Sequence, residues 1–214
     1  MTKAKRNDKN ILNFLLLETR KFLNFSKRFF VRFFGFPMTI NYTLVKSMLS
    51  MKLTDRPWWR YLEEDMQELL SQSVKLLAHV PEWKDRYHDY AFIVFPAAKA
   101  YEGFLKKLFL DMGFINSEEY IGKRFRIGRA LNPSLEKELR EREGIYDKLV
   151  NYCKGRELGD KLWDTWKLSR NLLFHWFPGE RNAIDLVEAR ERFERIVGAI
   201  DSAFEGCKLE LDIK

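Results

Sequence analysis

From Asp55 onward, apolar positions recur at helical spacing between clear stop signals. Trp58 to Val80 places Leu62, Met66, Leu69, Leu70, Val74 and Leu77 on one stripe, behind a Thr54 or Asp55 cap with Pro57 in the first turn, and Pro81 closes it. His79 near its end reads as a surface or capping residue. A second helix is predicted from about Asp85 or Tyr87 to Met112, with Ala97, Tyr101, Phe104, Leu108 and Met112 buried and Gly113 as its stop. Pro96 interrupts it, and a residue without an N–H predicts a kink there. Ser134 to Lys154 turns Leu135, Leu139, Ile145, Leu149 and Tyr152 inward, with Gly144 as a break or bend and Gly155 as its end. Lys161 to Pro178 repeats Leu162, Trp166, Leu173 and Trp176 with Ser169 between, and Pro178 and Gly179 stop it. Residues 183–205 carry Leu186, Phe193, Ile196, Val197, Ile200 and Phe204 on one face, ended by Gly206.

Residues 114–133 hold turn signals and predict short helical pieces. The tail 207–214, CKLELDIK, alternates like a strand but has no partner strand, so it reads as an irregular tail or an interaction segment. Four or five helices with short connections and no convincing strand define an all-α fold, an antiparallel four- to five-helix bundle over residues 51–206.

Composition refines this picture at the N-terminus. Hydrophobic residues make up 46% and charged residues 32% of the chain, a balance typical of soluble globular domains. The formal charge of +7 is not spread evenly. Residues 1–50 hold ten Lys or Arg against two acids, which leaves 28 basic and 29 acidic residues in the rest. The basicity thus belongs to an arm, and any RNA contact by the bundle has to be local. In the arm, ILNFLLL is too short to span a bilayer and no small-residue cleavage site follows it. Drawn as a helix, Arg20, Asn24, Lys27 and Arg28 gather apart from Phe22, Phe25 and Phe29, a pattern suited to RNA or, as the weaker option, to a membrane surface. A third reading treats the arm as upstream sequence, with the start at Met38, Met48 or Met51. Cys153 and Cys207 have neither CxxC spacing nor a nearby His, so no zinc site or disulfide framework is suggested and a reducing cytoplasm fits best. There is no Gly-rich phosphate loop and no Ser-His-Asp arrangement, and no cofactor or metal is expected.

The candidate chemistry lies in Arg170-Asn171-x-x-x-His175. At about 100° per residue these three side chains and Phe174 fall within an arc of roughly 140° on one helix face. A guanidinium presents a planar fork of donors to phosphate oxygens, and an imidazole exchanges protons near neutral pH. Together they suit cleavage of RNA by its own 2′-hydroxyl, which needs no metal. A helix stop just after His175 places the ring where the macrodipole favours a cation, the form of a general acid. Lys123, Arg124, Arg126 and Arg129 form a second basic cluster on a connecting loop, read either as RNA backbone contacts or as a solvated loop.

The Arg, its polar neighbour, the short spacer and the His resemble the motif of HEPN superfamily ribonucleases. A second likeness lies in the run from Phe95 and Pro96 through Glu102, Gly103, Phe104, Leu105, Lys106 and Lys107 to Ile121 and Gly122. It is similar to the toxin domain of the RNase LS (RnlA and LsoA) toxin family, over roughly residues 58–206. That resemblance implies a helical bundle acting as a cytoplasmic, metal-independent endoribonuclease toxin with a cognate antitoxin protein and a homodimeric cleft. It also implies that Glu102 and Lys99 join Arg170, Asn171 and His175, with Lys99 standing where the family has an arginine. The competing expectation is a HEPN-like bundle that binds a protein partner or RNA without cutting.

Overall fold

The computed structural model describes residues 53–179 and 182–206, which belong to one compact unit. The N-terminal arm and the tail from residue 207 lie outside the described residues, and so do the readings attached to them. Every regular element described is helical. The order is α1 (Glu64–His79), α2 (Ala91–Asp111), α3 (Ser117–Ile121), α4 (Ile127–Ala130), α5 (Lys137–Glu143), α6 (Tyr146–Cys153), α7 (Glu157–Trp166) and α8 (Leu186–Gly206). Helix α2 packs on α1 and α8, α8 packs also on α7 and α1, and α6 packs on α7. The helical bundle expected from the apolar periodicity is therefore present, and none of the described helices is long and apolar enough to cross a membrane.

The core follows the stripes. Leu62, Met66, Leu70, Val74 and Leu77 are buried from the first stripe, and Ala97, Tyr101, Phe104 and Leu108 from the second. Phe193, Ile196, Val197 and Ile200 of α8 close over them. Between α1 and α2 the packing includes a polar repair. Pro96 lacks an N–H, yet α2 runs through it, and the next N–H, of Ala97, donates to the buried Ser73 Oγ of α1 at 3.0 Å. A serine inside an apolar stripe thus supplies an acceptor at the turn the proline disturbs.

Two boundaries differ from the periodic reading, each for a tertiary reason, and a third falls where it was expected. The first stripe does not begin as a helix at Trp58: a 3₁₀ turn at Trp59–Tyr61 precedes an extended Leu62 and Glu63. Trp58 is fully buried, with its Nε1 donating to Asp201 Oδ1 of α8 at 2.7 Å, while Arg56 donates to Asp201 Oδ2 at 2.8 Å. That clamp to α8 outweighs local helix propensity. Helix α2 starts at Ala91 rather than near Asp85 or Tyr87, because the Tyr90 N–H is committed to the Ile184 carbonyl at 2.9 Å and Trp83 and Tyr87, ahead of the helix, cluster with Phe92 of its first turn. The charged helix is divided at Gly144 as expected, and the Ile145 N–H bonds the Ala130 carbonyl at 2.7 Å. Ile145 and Leu149 are buried, whereas Tyr152, expected inside, is half exposed.

Other readings hold or fail locally. His79 is exposed beside Glu82 at 3.5 Å, and residues 114–133 do fold into the short α3 and α4, the first with an Asn116/Glu119 capping box. Cys153 is disulfide-bonded, contrary to the expectation drawn from the cysteine spacing, so the cysteines no longer speak for a reducing compartment.

Ser73→Ala removes the only acceptor that α1 offers the buried Ala97 N–H, and a loss of about 1–3 kcal/mol in urea unfolding is expected. Ser71→Ala on the same helix should stay within about 0.5 kcal/mol of the parent. Equal midpoints for the two variants would show that the Ser73 contact does not stabilise the packing of α1 on α2.

Candidate functional site

Helix α7 is tied to α2 through the Tyr101 hydroxyl, which donates to the Leu162 carbonyl at 3.1 Å. It does not continue as an α-helix to Pro178. At Lys167–Asn171 it widens into a π turn, in which the Leu172 N–H reaches back to the Lys167 carbonyl at 2.9 Å. Regular helix ends there, leaving only the Phe174 N–H to bond the Arg170 carbonyl at 3.3 Å. The spacing of about 100° per residue fails across such a turn, so the expectation of one helix face for Arg170, Asn171 and His175 is corrected. His175 lies beyond the helix, and the macrodipole argument for a cationic ring does not apply to it. The same early stop explains Trp176, expected in the buried stripe but 81% exposed, while Leu162, Trp166, Ser169 and Leu173 are buried.

The π turn presents Arg170 to two partners. Its guanidinium carbon lies 5.0 Å from the centre of the Trp166 ring, and Nη2 is 3.7 Å from Glu102 Oε2 on α2. The two side chains are 38% and 34% exposed, so the pair is worth about 0–1 kcal/mol in stability. Its importance is geometric. At 3.7 Å the carboxylate attracts the guanidinium without a direct hydrogen bond, so donors of the fork remain available to another anion. Trp166 is itself wedged against Gly128 of α4, where a Cβ would come within 2.9 Å of its Nε1.

The other nominated residues fall into place around this pair or apart from it. Lys99 is exposed three positions before Glu102 on α2, with no ion pair among the described residues. Asn171 is half buried, and its side chain makes no hydrogen bond among them. His175 is exposed and lines an open cleft of about 940 Å³ with His88, Phe174, Trp176 and the segment from Asn182 to Asp185. Arg170, Asn171, Glu102 and Lys99 are not among its lining residues, although Phe174, one turn after Arg170, is.

Lys123, Arg124 and Arg126 are exposed along a second groove of about 650 Å³. Arg129 shares the groove but is engaged by Glu143 at 3.0 Å. Hydrogen bonds from Arg129 and then Arg142 hold the Glu143 carboxyl below the usual carboxylate range. The first three cations keep no ion pair among the described residues. Also among them, no group of three or more His, Cys, Asp or Glu side chains could hold a metal ion.

The sequence had not singled out His88 or the stacking role of Trp166. His88 enters the cleft only because Asp89 and Tyr90 bond Ile184 from the far end of the chain, a long-range contact with no local signature. Trp166 looked like plain core, since periodicity reports burial and not what lies over a ring. No protein-family model, curated protein or solved structure matches the chain.

Gly128→Ala should press on Trp166 and cost about 1–3 kcal/mol in urea unfolding. Glu102→Gln should cost no more than about 1 kcal/mol, since it alters only a half-exposed pair. A larger loss for Glu102→Gln than for Gly128→Ala would mean that the carboxylate holds the fold rather than aims the guanidinium.

Proposed function

We propose that the chain is a metal-independent endoribonuclease, a toxin of a toxin-antitoxin pair that cuts RNA through attack of the 2′-hydroxyl. The observation that carries the reading is the Arg170–Glu102 pair. It joins two helices that two separate sequence likenesses had nominated, and it leaves a guanidinium partly open to solvent, with an exposed imidazole at His175 beyond the end of the helix.

In this reading Arg170 grips the scissile phosphate and the charge that develops on it, aimed by Glu102 from one side and the Trp166 ring from another. His175 gives a proton to the departing 5′-oxygen. Asn171 orients the phosphate, and Lys99 adds a point charge near the pair. Lys123, Arg124 and Arg126 hold the RNA backbone away from the cut. The enzyme works in the cytoplasm as a homodimer, as the HEPN resemblance implies, and a cognate antitoxin protein restrains it.

A second reading has one observation in its favour. Trp176 is 81% exposed, and Phe95, Phe177 and Leu172 are exposed as well, apolar side chains that a bundle binding a protein partner without cutting would use.

Expression in a bacterium decides between them. The parent chain is expected to arrest growth, and Arg170→Ala and His175→Ala to abolish the arrest and to lower RNA cleavage in vitro by about 10²–10⁴-fold. RNA bearing a single 2′-deoxy residue at the cut should survive. Harmless expression of the parent would favour the binding reading, and cleavage at the 2′-deoxy site would end the proposed chemistry.

A further inference from the structure

The His175 cleft has a frame that is pinned on three sides. The strap from Asn182 to Asp185 bonds the His175 carbonyl through Asn182 Nδ2 at 3.0 Å. The same strap bonds the segment that carries His88, where the Tyr90 N–H donates to the Ile184 carbonyl at 2.9 Å and the Ile184 N–H to Asp89 Oδ1 at 3.2 Å. Asp89 Oδ1 also accepts the Ala91 N–H at 2.9 Å, at the start of α2. His88 and His175 therefore sit on two segments that a third holds in a fixed relation.

The titratable groups of this cleft are few, and most are occupied. Asp89 accepts the two backbone N–H groups just named. Asp185 and Glu188 form a reciprocal capping box at the start of α8, the Glu188 N–H donating to Asp185 Oδ1 at 2.8 Å and the Asp185 N–H to Glu188 Oε2 at 3.0 Å. These three carboxylates build the frame. Neither His88 nor His175 has a hydrogen-bond or ion-pair partner for its ring among the described residues, and both are exposed. The remaining histidine, His79, stands beside Glu82 and is not part of the cleft. Two unoccupied imidazoles on one cleft are what a reaction with one proton to remove and one to supply requires.

We infer that His88 is the second proton-transfer group of the site, the base that takes the proton of the attacking 2′-hydroxyl while His175 supplies the proton of the leaving 5′-oxygen. The inference rests on the ribonuclease reading. As the P–O2′ bond forms and the P–O5′ bond breaks, one proton passes from the 2′-oxygen to His88 and another from His175 to the 5′-oxygen. The pair exchanges its protonation states with no net change in proton count, and no further reactant is needed. An in-line displacement places the entering and leaving oxygens on opposite sides of phosphorus, which calls for two proton-transfer groups on separate segments of the cleft.

The test uses the full chain and two forms of one short RNA that the parent cuts, the natural one and one with sulfur in place of the 5′-bridging oxygen at the cut. Sulfur leaves without a proton. His175→Ala should lose about 10²–10⁴-fold on the natural RNA and regain most of that on the sulfur form. His88→Ala and His88→Gln should lose a similar factor on both forms, because the attacking hydroxyl still needs a base. Circular dichroism and the urea midpoint of both His88 variants should match the parent, since the side chain is exposed. His88 variants that cut natural RNA within twofold of the parent, or that are rescued by sulfur while His175→Ala is not, would overturn the assignment. A parent that cuts no RNA at all would instead remove the ribonuclease reading beneath it.

Discussion

One backbone hydrogen bond, from the Leu172 N–H to the Lys167 carbonyl, sets what the rest of the site can do. By widening the helix at its last turn it buries Ser169, lays Arg170 across Trp166 toward Glu102, and releases the chain before His175. A regular α-helix carried on to Pro178 would have placed Trp176 in the core stripe and His175 on a helix face. The π turn instead delivers an exposed aromatic and an exposed imidazole to a cleft edge. Such turns cost little when neighbouring helices satisfy the backbone, and they recur where a side chain has to be re-aimed for function.

Beyond the π turn the chain is positioned by a strap rather than by a helix. Asn182 and Ile184 tie the His175 backbone to the segment before α2, so that a stretch with no regular structure is held by hydrogen bonds to two other parts of the fold. The carboxylates of Asp89, Asp185 and Glu188 are engaged with backbone N–H groups there. Each therefore contributes to position more than to reaction chemistry. The Arg170–Glu102 pair has little effect on stability, and with the Trp166 ring it brackets the guanidinium.

Much of the bundle was legible in the sequence because apolar periodicity reports burial directly. The stripes through Leu70, Phe104, Leu162 and Ile200 are core in the fold. The break at Gly144 and the short pieces near Ser117 and Ile127 were legible as well, from turn residues. The boundaries were less so, since the Trp58–Asp201 and Tyr90–Ile184 contacts that move them join distant parts of the chain. The approach of Glu102 to Arg170 at 3.7 Å joins side chains of distant segments, and the placement of His175 off the helix could not be read, because nothing in residues 167–171 announces i→i+5 bonding. His88 was illegible for the same reason as the strap that positions it.

In the proposed function, the guanidinium of Arg170 and the imidazole of His175 split RNA by way of its own 2′-hydroxyl. This chemistry is tested most directly by incubating the purified protein with RNA in excess chelator and reading the new ends by mass spectrometry. The expected ends are a 2′,3′-cyclic phosphate on one fragment and a 5′-hydroxyl on the other. Fragments ending in a 3′-hydroxyl and a 5′-phosphate, or cleavage that stops when chelator is added, would contradict it.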